Sequence, residues 1–367
     1  MPALRPTSRT ASTSPAIDLA KVLAAHLILF HHLFLYGPVP AGPLGWIVAD
    51  GRLAVQVFLV IGGYLGAASM LGKLHKPTTA PLTRQTWQLI VQRARRLLPT
   101  YWLAAFAMLA VLGWLRWGPL PAELPLDVDP RALDLPQVAA NLLLLQDVLG
   151  QEGLSAGFWY VAIDLQLYIG LVLLAMLCRA LPLSVRGRLA VFGGLTLGIS
   201  LLSLLRWNLD PRLDAWAPYF AGSYALGMLA CVLRRGARLP SPLALGTVGA
   251  IGLLALVLAW RSRIAVATLT AMGLCAHGWL DEWLRRLPAR WLRALGELAS
   301  ASYPMFLLHY PLLVLVCASV AGLTDAPMAL AVAVLACWPL SVALGLLVQR
   351  WMEAPQPLPL RAASAAA

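Results

Sequence analysis

IDLAKVLAAHLILFHHLFLY, residues 17–36, is an apolar run of twenty residues, enough to cross a bilayer as a helix. Within it stand Asp18, Lys21, His26, His31 and His32. Ionisable side chains are costly in hydrocarbon, and in a spanning helix they face a bundle interior or a watery cavity. At about 100° per residue, Lys21 and His32 fall within about 60° of Asp18, whereas His26 and His31 point elsewhere. One helix therefore presents an acid, a base and an imidazole along a single stripe, and that stripe is the first candidate site.

The rest of the chain agrees with a spanning reading. Its 367 residues are 60% hydrophobic and 12% charged, against about 25% charged in a soluble domain, so the expected fold class is an all-α polytopic bundle. Apolar runs of spanning length lie near 17–36, 51–71, 98–117, 157–178, 189–206, 215–233, 242–260, 264–280, 299–320 and 326–348. Ten spans place both termini on one side. That side holds 21 of the 28 Lys and Arg, and the other holds 11 of the 16 acids. The positive-inside rule then predicts cytoplasmic termini, and a net charge of +12 is explained without nucleic acid. The expected organisation is a disordered cytoplasmic tail over 1–16, a ten-helix domain over 17–350 whose first span is also the insertion signal, and a cytoplasmic tail over 351–367. No appended soluble domain is expected.

Five cysteines lie in or beside apolar runs without ligand spacing and read as buried thiols. There is no HExxH or CxxC spacing, so no metal is expected. Trp46, Trp117, Trp159 and Trp216 suit interfacial belts. Two connections are long: a basic one over 72–96 and an acidic, Pro-rich one over 118–156, whose amphipathic piece near 137–149 is expected on the membrane surface.

Further polar residues stand inside the other spans. Gln56 in the second reads as a substrate contact or as packing glue, beside Gly62 and Gly63, which permit close helix approach. In the fourth, Asp164 and Tyr168 share a face while Gln166 projects from another. Asp164 suits either a catalytic acid or a counterion for a basic residue on a neighbouring helix. In the ninth, Ser302 and His309, seven apart, share a stripe while Pro304 and Pro311 disturb the backbone ladder, and a structural role for His309 is equally open. The run Arg93-Ala94-Arg95-Arg96 precedes Pro99, Tyr101 and Trp102. Its guanidinium forks suit either phosphates of a cytosolic donor or plain topology signalling and lipid headgroups. His26, His75 and His277 lack such company and read as packing or surface residues.

These stretches, in this order, resemble the acyltransferase-3 family of integral-membrane acyltransferases. Lys21 followed ten residues later by His32 matches that family's first-span motif and selects His32 over His31. Residues 53–65 are similar to its second-span pattern, and Arg93 with Arg96 to its RxxR. Residues 99–102 match its PAYW, 159–168 its WSLSVEEQFY, and 302–311 its SYxLYLLHxP. The chain departs from the family in carrying Gln56 for the commoner Asp, Leu165 for a second Glu and Lys21 for Arg. The C-terminal esterase-like domain of some members is not expected here.

The resemblance implies transfer of an acyl group, commonly acetyl, onto a carbohydrate or glycolipid acceptor, with acyl-CoA as donor substrate and no permanently bound cofactor. Membrane lipids are the other expected partner. Attack of a hydroxyl on a thioester needs a proton acceptor, and an imidazole of unperturbed pKa about 6.5 suits it. His32 is the expected general base or transient acyl carrier, with Asp18 or Asp164 fixing its tautomer. Lys21, Arg93 and Arg96 are the expected donor contacts. Gln56, Tyr101, Trp159, Gln166, Tyr168, Ser302 and His309 are expected in substrate-binding or structural roles. The expected location is a bacterial inner membrane. Two rival readings are a proton-coupled transporter using the same polar stripe and an inactive relative that binds glycan or lipid.

Overall fold

A computed structural model of the chain describes residues 14–37, 49–75, 80–118, 128–234, 242–324 and 326–353, with 42, 45 and 126 besides. Most of both expected tails, Trp46, Lys76, Glu123 and Asp127 lie outside the described residues. Among the described residues the regular structure is all helical. The helices are α1 Pro15–Tyr36, α2 Val55–His75, α3 Leu82–Trp117, α4 Leu135–Leu142, α5 Phe158–Ala180, α6 Val185–Leu205, α7 Ala217–Leu233, α8 Pro242–Leu258, α9 Ser262–Leu284, α10 Ala289–Ala321 and α11 Pro327–Glu353. Ten of them answer to the ten expected apolar runs. Eight of the ten are long and apolar enough to cross a membrane, and α7 and α8 are shorter apolar helices.

The largest departure from the expected spans is α3. The basic run 84–96, expected in a connection, forms the first turns of a single 36-residue helix that passes through Pro99. Arg and Gln are good helix formers, and Leu89 within this stretch and Leu97 just after it are buried against the bundle. Exposed Trp87 and Trp117 stand near the two ends of α3. They are thirty residues apart, about 45 Å of helix, which matches a bilayer with its headgroups.

Helix α1 is tied down at its N-terminus. Ser14 caps it by accepting from Ile17 N, and donates its own hydroxyl to Asp281 Oδ1 on α9 at 3.0 Å. The same carboxylate oxygen accepts from Ala16 N at 2.8 Å. A carboxylate at free N–H groups answers the positive end of the helix dipole. α1 packs on α10 and runs in the same direction. A Cβ at Gly296 would lie 3.9 Å from Asp18 Oδ2, and thirteen to fourteen residues further along both helices His32 meets His309. These answer to the first and ninth of the expected spans, and strict alternation across a membrane requires the two to be parallel.

α2 and α7 cross closely because neither has a side chain at the contact. A Cβ at Gly63 would fall on the Tyr224 carbonyl, and one at Gly227 on that of Val60. Small residues of this kind let helix backbones approach where lipid removes the hydrophobic drive to associate.

The acidic connection does not simply lie on the surface. Its helix is α4, shorter than the expected 137–149 piece, and the Tyr101 hydroxyl and Trp102 Nε1 of α3 donate to the carbonyls of Asn141 and Leu142 at 2.6 and 3.0 Å. Trp102 precedes the end of α3 by fifteen residues, about 22 Å, so the segment reaches down along α3. Non-helical backbone at such depth must be satisfied by protein. Asn141, fully buried, does this by donating to Gln137 O and Glu152 O and accepting from Leu154 N. Leu135, Leu143 and Leu149 remain exposed, so the outer side keeps the apolar character the amphipathic pattern predicts.

Candidate active site

The intramembrane polar residues gather in two clusters, joined by α10. In the first, His32 of α1 and His309 of α10 are both buried. His32 Nδ1 lies 2.7 Å from His309 Nε2, and the two rings are nearly parallel with centroids 4.9 Å apart. His309 Nδ1 lies 2.6 Å from the Phe306 carbonyl. His31 and Tyr36 flank His32 with ring centroids at 5.2 and 5.7 Å, and Tyr36 sits edge-on to Tyr310. No carboxylate hydrogen-bonds either imidazole among the described residues.

The second cluster is an ion pair. Arg93 Nη2 of α3 meets Asp164 Oδ2 of α5 at 2.5 Å, and its guanidinium lies 5.2 Å from the centre of the Tyr168 ring. Tyr160, Tyr224 and Tyr303 stand close enough to feel both charges. Asp164 Oδ1 and Arg93 Nε are buried without a hydrogen-bond partner among the described residues. Tyr303 donates to Leu97 O at 3.1 Å and precedes His309 by six residues, so the ion pair lies about 9 Å along α10 from the histidines.

This arrangement corrects three expectations. Asp18 does not orient His32: fourteen residues separate them, about 21 Å of helix. It lies in the first turn of α1, 3.8 Å from Lys21 Nζ. Asp164 does not orient His32 either, because Arg93 takes it, and a buried carboxylate is far better served by a guanidinium than by a neutral ring. Arg93 in turn is not an open phosphate contact. Of the expected donor contacts, Arg96 is exposed, Lys21 is partly exposed, and Lys21 feels the charge of Arg96.

The remaining expected residues make contacts within the bundle. Gln56 Oε1 accepts from Ser223 Oγ at 2.7 Å, joining α2 to α7. Gln166 Oε1 accepts from Ala217 N at 3.0 Å and so serves the start of α7. Trp159 packs its ring on Phe220. Ser302 donates to Leu298 O within its own helix. Tyr101 anchors the α4 segment.

Residues 14–346 match the acyltransferase-3 family, whose description is an acyltransferase domain. The chain belongs to this family. No curated protein and no solved structure matches it. The match spans nearly the whole chain, so both polar clusters fall inside the acyltransferase domain, and the protein is a membrane acyltransferase.

Sequence reasoning missed the partner of His32, although Lys-x10-His had singled out His32 and the Ser302 to Pro311 motif had singled out His309. It also missed Tyr160, Tyr224 and Tyr303 around the ion pair. Tyr160 is four residues before Asp164, so the same spacing that found Tyr168 points to it. Asn141 was legible as a lone polar residue in an apolar run. The pairing of Asp281 with the start of α1 has no local signal.

Proposed function

We propose that this acyltransferase moves an acyl group, in the simplest case acetyl, from acyl-CoA at the cytoplasmic side to a hydroxyl of a carbohydrate or glycolipid acceptor, with His32 as general base. The observation that carries this is the placement of His32, held inside the bundle by His309 at 2.7 Å.

The step balances on the chain's own groups. The acceptor oxygen bonds to the thioester carbonyl carbon as His32 takes its proton, and the carbon–sulfur bond then breaks. His32 returns the proton to the departing thiolate and ends neutral. Lys21 and Arg96, near the end of α1 opposite His32, supply positive charge for the donor's phosphates. Lys21 and His32 are eleven residues apart, about 16 Å of helix. An extended donor arm bridges that distance from a phosphate contact to a thioester beside His32.

Purified protein in vesicles, given acetyl-CoA on the side of the basic helix ends and a glycan or glycolipid mixture on the other, should raise the mass of an acceptor by one acetyl group. Release of CoA without any acylated acceptor would reject transfer to a hydroxyl acceptor.

A further inference from the structure

We propose that His309 is a positioning residue that fixes His32 as its Nδ1–H tautomer, making His32 Nε2 the atom that removes the acceptor's proton. The inference rests on the reading of His32 as base and adds which nitrogen acts and what sets it.

It follows from donor and acceptor counting along one chain of contacts. A carbonyl only accepts, so the 2.6 Å contact with Phe306 O requires the proton of His309 on Nδ1. In a neutral ring the other nitrogen then carries a lone pair, and His309 Nε2 is an acceptor. The 2.7 Å contact with His32 Nδ1 therefore places the proton of that bond on His32. His32 in turn is left with its lone pair on Nε2. Both rings are neutral in this arrangement, as burial without a carboxylate partner favours.

His32 Nε2 makes no hydrogen bond among the described residues and is not among their fully enclosed unpartnered atoms. The nitrogen that the relay leaves basic is thus the one left uncommitted. The relay also keeps the ring from rotating, since turning His32 would break its bond to His309 and place an N–H where the acceptor hydroxyl must give up its proton. In the more familiar arrangement a carboxylate performs this task. Here a second imidazole does so, itself locked by a backbone carbonyl one turn earlier on α10.

The direct test is nitrogen-15 NMR of the full-length protein labelled at histidine, with the His32 signals assigned by their loss in His32→Ala. The expected spectrum shows His32 protonated at Nδ1 and pyridine-like at Nε2; the opposite tautomer in the wild type overturns the proposal. The kinetic companion compares His309→Leu, which cannot accept from His32, with His309→Gln, whose amide oxygen can. The Leu variant should lose about 10- to 100-fold in kcat with KM for donor and acceptor little changed, and the Gln variant should recover most of that loss. Equal activity of the two variants overturns it as well. Because the NMR measurement uses the wild-type fold, a Leu variant that fails to fold leaves the proposal open to refutation. Undiminished turnover in His32→Ala would refute the base reading itself and this inference with it, whereas the opposite tautomer would refute only the inference.

Discussion

Arg93 and Asp164, 71 residues apart in the chain, meet at 2.5 Å between α3 and α5. The carboxylate side chain is only 3% exposed and the arginine 23%, so neither charge is well solvated and each is the other's main compensation. Removing one partner strands the other at a typical cost of about 3–5 kcal/mol. Arg93→Met or Asp164→Leu alone should therefore lower the thermal midpoint of the purified protein strongly. The double variant should be the more stable of the three, because no charge is left stranded. Additive losses in a double-mutant cycle would show that the pair is not coupled.

The same pair shows what could and could not be read from the chain. Apolar runs and their spacing located ten helices, eight of them long and apolar enough to cross a membrane, because spanning length and hydropathy are local properties. The depth of Arg93 was not legible. A window that penalises charge ends the third helix at Leu98, whereas the structure carries it back to Leu82 because Arg93 is compensated by a residue on another helix. The same limit hid the partner of His32. Lys-x10-His and the helical wheel chose the imidazole, but both are properties of one helix, and the choice of His309 over Asp18 or Asp164 depends on how α1, α3, α5 and α10 are arranged.

The proposed donor contacts, Lys21 and Arg96, separate from the ion pair by their expected kinetic signature. Lys21→Ala and Arg96→Ala should raise KM for acyl-CoA several-fold with a smaller change in kcat, and the effect should weaken at high salt. Arg93→Lys should act mainly on stability. A donor KM unchanged in both Lys21 and Arg96 variants would remove these residues from the donor site.

The α2–α7 crossing is sensitive to a single methyl group. Gly63→Ala and Gly227→Ala each place a Cβ onto a backbone carbonyl of the facing helix, so the helices must separate and strain the Gln56–Ser223 bond between them. Both variants should lower the thermal midpoint, whereas Gly72→Ala, where a Cβ meets open space, should hold or raise it. Equal tolerance at all three positions would contradict the close crossing.

In the connection after α4, burial pushes the carboxyl of Asp147 above the ordinary aspartate range, with the charge of Asp214 adding to the shift and Gln146 opposing it. A carboxyl with a raised folded-state pKa costs stability once the pH is above that pKa. The cost is relieved as pH falls through it and is gone below the unfolded value near about 3.9. Asp147→Asn should therefore raise the thermal midpoint at pH 7 and lose that advantage as the pH approaches 4. A gain that does not depend on pH would point to a cause other than the buried charge.

The proposed role of His32 in taking the acceptor's proton is read from acceptor-dependent CoA release by purified wild type and His32→Ala, with His31→Ala as the neighbouring control. Turnover should fall about 100-fold or more in His32→Ala, in the range expected for loss of a general base, and change much less in His31→Ala. Undiminished turnover in His32→Ala would contradict it.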